Sequence, residues 1–145
     1  LQKFKRALDI RPSYAMAASN LGSIYIQFKD YSRALAPLRA GFKASRQGLK
    51  KGESQAIAIA NNYALALSGT GQDPKAEDIY KKVRSLDTDK IEPLVNYAIL
   101  LVKKMEKYEE AQTLISRIKF VSDSADIVRR MEKLEQTLKA NQTQN

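Results

Sequence analysis

The chain has 145 residues, 43% of them apolar and 28% charged, with 25 Lys and Arg against 16 Asp and Glu. That is room for one compact domain or a short array of helical units. Cys, His and Trp are all absent, which excludes disulfides and thiolate metal sites and removes the commonest zinc ligand and general base. No cofactor, metal or catalytic activity is expected. Six Gly and four Pro are too few for a disordered low-complexity chain or a turn-rich all-β protein. With no apolar run near the ~20 residues that span a bilayer, the chain reads as soluble. The all-α class is an expectation from the repeats that follow. Cytoplasm and periplasm suit it equally.

In chain order, the first informative segment is Ala18-Ser19-Asn20-Leu21-Gly22, followed by Tyr25, Ala34 and Leu38. The second is Ala60-Asn61-Asn62-Tyr63-Ala64, followed by Leu67, Ala76 and Tyr80. The third is Leu94-Val95-Asn96-Tyr97-Ala98, followed by Leu101, Ala111 and Ile115, and it lies 34 residues beyond the second. Such recurrence predicts three units, each of two helices. Gly22, Ala64 and Ala98 are small where one helix crosses the next. Ala34, Ala76 and Ala111 are the matching small surfaces, and large residues such as Leu21, Tyr63 and Tyr97 fill the space around them. The turns are expected at 28–31, 68–74 and 104–108, with Gly69 and Gly71 able to cap a helix C-terminally and Asp73-Pro74 opening the next.

Two irregularities interrupt the period. The first and second segments stand 42 residues apart, so about eight residues are inserted near 44–55, where two Gly predict a loop and longer flanking helices. Pro37 falls inside a predicted helix, at its first turn or at a kink. Beyond the third unit, Ser122-Asp123-Ser124 offers an N-cap for a helix with Ile127, Val128, Met131, Leu134 and Leu138 on one stripe.

The three segments resemble the tetratricopeptide repeat (TPR) pattern, W-x2-L-G-x2-Y, then A-x3-F, then P. Phe4 to Pro12 resembles the second helix and closing Pro of a further repeat. The Trp position is Ala, Ala and Leu here, and only Pro12 stands at a closing Pro position. The resemblance implies a right-handed α-solenoid of antiparallel helix pairs. Its parts would be a remnant helix at 1–12, repeats at 13–48, 57–90 and 91–121, a C-terminal capping helix at 122–140 and a disordered tail at 141–145. Phe4, Ala7 and Leu8 would leave an open apolar end suited to self-association.

The resemblance further implies a scaffold or adaptor that holds a peptide or helical segment of a partner in a concave groove, within a larger assembly of the kind bacterial TPR modules serve. Groove positions would be Asn20, Asn62 and Asn96, whose amides both donate and accept to an extended backbone. Around them lie Ser23, Ile26, Gln27, Asn61, Leu65, Val95, Ile99 and Lys103. Only Lys103 and Glu92 among the groove positions carry charge, so a neutral or apolar ligand is expected in preference to an acidic tail.

The alternative starts from charge. Residues 1–56 hold eleven Lys and Arg against three acids, whereas 57–145 are almost balanced. Arg39, Lys43, Arg46 and Lys50 follow helical spacing, with Lys51 adjoining, and form a basic face for an acidic protein, a nucleic-acid backbone or lipid headgroups. No aromatic is interleaved with them for base stacking. The carboxylate pairs Glu77/Asp78, Asp87/Asp89 and Glu109/Glu110 read as solvated helix-end charge.

Overall fold

A computed structural model describes residues 12–144, and those residues contain helices and no strand. The helices are α1 (Pro12–Gln27), α2 (Tyr31–Ala44), α3 (Arg46–Lys50), α4 (Ser54–Gly69), α5 (Asp73–Arg84), α6 (Glu92–Lys103), α7 (Tyr108–Val121) and α8 (Ala125–Thr143). The expected helix at 1–12, with Phe4, Ala7 and Leu8, lies outside the described residues apart from Pro12, which opens α1. The chain divides into two compact units, one ending at Thr88 and one beginning at Asp89.

In the first unit, α1 packs along α2, α2 along α4, and α4 along α5, and α1 also touches α4. The α1/α2 approach is as close as the small residues predict. A Cβ placed on Gly22 would run into the Leu38 side chain, and one on Gly41 would collide with Ser19 Oγ. Ala18, Ala34 and Leu38 are buried around that crossing, and Ala64, Ala76, Leu67 and Tyr80 are buried in the α4/α5 pair. Burial raises the Tyr80 hydroxyl well above the usual phenol range, so it stays neutral at any ordinary pH.

The second unit repeats the theme. α6 packs on α7, and α8 packs on both. Ala98, Ala111, Leu101 and Ile115 are fully buried, as are Met131 and Leu138 on the α8 stripe. Ser124 caps α8 by accepting from the Ile127 amide at 3.3 Å. Between α7 and α8, Glu135 accepts from Gln112 Nε2 at 2.7 Å and from Lys119 Nζ at 3.1 Å. The Gln112 hydrogen bond, then the bond and charge of Lys119, hold its carboxyl below the usual glutamate value.

One turn geometry joins the helices of all three pairs. Lys29, Gly71 and Glu106 each stand two residues before a second helix and each adopt a left-handed backbone, at φ 59°, 80° and 53°. The residue after each is the N-cap of that helix. Its amide bonds back to the carbonyl of the equivalent first-helix residue: Asp30 to Tyr25 at 2.8 Å, Gln72 to Leu67 at 2.8 Å, Lys107 to Leu101 at 3.0 Å. This left-handed closure satisfies carbonyls that a helix end otherwise strands. Ala98 and Ala111 stand 13 positions apart, against 12 for Gly22 and Ala34 and for Ala64 and Ala76. The third turn absorbs that extra residue by bonding the Met105 amide to the Leu100 carbonyl on the way.

Several expectations need correction. Leu21 is 43% exposed instead of filling the crossing, where Leu38 meets Gly22. Gly71 supplies the left-handed turn residue, while Gly69 serves packing: a Cβ there would enter the Tyr31 ring. Pro37 lies two turns into α2, buried, and the helix continues through it. The insertion at 44–55 folds as the short α3, set off where Ser45 Oγ donates to the Gly41 carbonyl at 2.8 Å and closed by Gly52 at φ 71°. α4 starts at Ser54, ahead of the expected 57, and 141–145 is helical as far as Thr143 instead of a disordered tail.

Candidate binding surfaces

The groove positions separate into two kinds once folded. Asn62 and Ser23 are brought together where α4 meets α1, with Asn62 Nδ2 donating to Ser23 Oγ at 2.9 Å. Ser23 Oγ donates onward to the Ser19 carbonyl at 2.9 Å, and Ser19 Oγ to the Ala15 carbonyl at 2.8 Å. One Asn62 donor therefore ties two first helices together. Asn20 and Gln27 on α1 are exposed, Ile26 is half-buried, and the Asn20 amide makes no hydrogen bond among the described residues. Asn61 and Leu65 on α4 are half-buried.

On α6, Asn96 and Ile99 are half-buried and Lys103 is exposed. Val95 corrects the prediction: at 0% exposure it belongs to the core and offers a ligand nothing. Helical spacing put it beside Asn96, but a helix as apolar as α6 buries more than one stripe.

The basic residues lie on two helices, not one. Arg39 and Lys43 belong to α2, Arg46 and Lys50 to α3, and Lys51 follows α3. All five are exposed. Arg39 is engaged through Nε, which donates to Tyr63 Oη at 3.1 Å. Arg46 and Lys50 reach the mouth of an open pocket of about 460 Å³, together with Lys82 of α5. Phe42, Leu49 and Leu86 supply its apolar lining. The Phe42 ring sits 5.4 Å from the Tyr63 ring, tilted by 47°, and Lys82 Nζ lies 6.0 Å from its centroid.

Lys82, Phe42 and Leu86 had no sequence signal. Nothing local connects α5 to α2 and α3 until they pack. A smaller pocket of about 200 Å³ lies near Met16, Gly48 and Glu53.

Glu77 is another correction, because it is only 5% exposed and sits 3.9 Å from Lys81 Nζ, one turn along α5. Its position near the start of α5 suits a negative charge. Among the described residues no group of three Asp, Glu, His or Cys side chains could hold a metal ion. No described helix is long and apolar enough to cross a membrane.

The fold is that of an all-α protein built from short-turned helix pairs. Comparison with protein-family models, with curated proteins and with solved structures gives no match.

Proposed function

We propose that this chain is a non-catalytic, TPR-like α-solenoid that works as a protein–protein interaction scaffold or adaptor. It binds a neutral or apolar peptide or helical segment of a partner across its first helices. The observation that carries the reading is the thrice-repeated pair: the same small-residue crossing and the same left-handed turn, with first helices α1 and α4 side by side through Asn62 and Ser23. On that surface Asn20 offers an amide with no hydrogen bond among the described residues, and Ile26 and Leu65 offer apolar contact. Amides of this kind satisfy a peptide backbone without demanding particular side chains.

The test is photo-crosslinking from Gln27 and, as a control, from Lys133 on α8. Both are exposed. A partner captured from Gln27 alone, whose yield falls in the Asn20→Ala and Leu65→Glu chains, supports the reading. Equal capture from both positions, or capture insensitive to both substitutions, overturns it. Asn62→Ala is the weaker probe, because it also loosens the α1–α4 contact.

A further inference from the structure

We propose that the pocket formed by α2, α3 and α5 docks an acidic segment of a partner protein through one apolar anchor side chain flanked by carboxylates. This goes beyond the first-helix reading and uses none of its residues. Phe42, Leu49 and Leu86 form an apolar floor, and Arg46, Lys50 and Lys82 supply positive charge around it. No carboxylate lines the pocket.

Charge complementarity identifies the occupant. Among the described residues Arg46, Lys50 and Lys82 pair with no carboxylate. That is also true of Lys43, Lys51 and Lys133, but Arg46, Lys50 and Lys82 stand together around one apolar concavity. Three cations with no carboxylate partner among the described residues raise the local potential around that concavity, since low-dielectric walls focus the field. The floor is also set in advance. Phe42 leans on Tyr63, whose hydroxyl is held by Arg39, so little ordering is lost when a side chain enters. A volume of about 460 Å³ lies within the range of concave ligand sites, which run from about 300 to 1,000 Å³.

The same geometry argues against the other polyanions. Stacking of unpaired bases needs aromatic faces open to solvent, and the Phe42 ring is half-buried with Tyr63 and Lys82 already against it. Lipid headgroups present a broad plane, which meets rim charges but leaves a concave floor unfilled. An acidic peptide with one large apolar side chain satisfies both parts at once. The side chain takes the floor out of water, and the carboxylates form charge-assisted hydrogen bonds with the cations.

The experiment uses the full chain and fluorescence anisotropy with a labelled Glu-Asp-Phe-Asp-Glu peptide. Two control peptides carry Ser in place of Phe, or Gln and Asn in place of the acids. Each control is expected to bind about tenfold more weakly, a ratio that the assay resolves easily. The Lys50→Gln/Lys82→Gln chain and the Leu86→Asp chain should each lose about tenfold as well. Arg46→Gln is a second charge variant, and circular dichroism reports that each is folded.

Asn20→Ala and Leu65→Glu should leave peptide binding unchanged, so this site and the first-helix surface fail or stand separately. Equal binding of the Phe and Ser peptides overturns the proposal, as does undiminished binding by the double variant. Preference for phosphatidylserine vesicles or a single-stranded oligothymidylate over the Phe peptide, lost in the double variant, also overturns it and assigns the cations to that polyanion.

Discussion

The α1/α2 and α4/α5 pairs share a crossing and a turn, yet their first helices differ in what covers their other side. α4 lies against α2, so Tyr63 is 9% exposed, beside the Phe42 ring and bonded to Arg39. Its counterpart on α1, Leu21, is 43% exposed, and Phe28 at the end of α1 is 78% exposed. A helical pair of this design has two apolar faces, one satisfied within the pair and one by a neighbour. Stability in such arrays comes from both terms. The pocket with three cations lies on the covered side, where a second helix, the inserted α3 and the next second helix meet.

The largest effect expected is at that inter-pair face. Tyr63→Ala should cost about 3 kcal/mol, because it removes a buried ring together with its contact to Phe42 and its hydrogen bond from Arg39. Leu21→Ala should stay within about 0.5 kcal/mol, as exposed substitutions do. Urea denaturation of both chains measures the contrast, and similar losses would erase the distinction between the two first helices.

Next are the crossings that the pairs share. Ala64→Leu and Ala98→Leu should each overpack a fully buried site and cost roughly 1–3 kcal/mol. Unchanged midpoints in both would remove the close approach that makes the pairs alike.

Smaller still is the turn. Lys29 and Gly71 occupy the same left-handed position, so Lys29→Gly should stabilise and Gly71→Lys destabilise, each by about 1 kcal/mol. Opposite signs at equivalent positions are the signature to look for in thermal unfolding.

The smallest concerns the second unit. The Glu135 carboxyl is held below its ordinary value by Gln112 and Lys119. Its contribution is therefore present above the unfolded carboxylate range and lost as pH falls through the lower, folded value. Because the site is partly solvated, the effect should be below about 1 kcal/mol. Unfolding followed by α8 amide exchange between pH 6 and 3 should show a slope that Glu135→Gln flattens.

Much of this molecule was legible in its residue order. Gly22, Ala64 and Ala98, with Ala34, Ala76 and Ala111, announced helix crossings because a close approach excludes anything larger. Ser124 and the stripe from Ile127 to Leu138 announced α8 because capping and amphipathic spacing are local. The extra residue of the third turn was visible as a count before it was visible as the Leu101–Lys107 bond. Tertiary structure decided the remainder. Val95 is core and Leu21 is exposed because burial depends on which neighbour covers a face, and helical spacing specifies only the face. Asn62 is tied to Ser23 because two first helices meet there, 39 positions apart in sequence. The pocket of Phe42, Arg46, Lys50 and Lys82 was legible only in its basic half: Arg46 and Lys50 stand at helical spacing and share α3, whereas Phe42 and Lys82 join them only when α2, α3 and α5 pack.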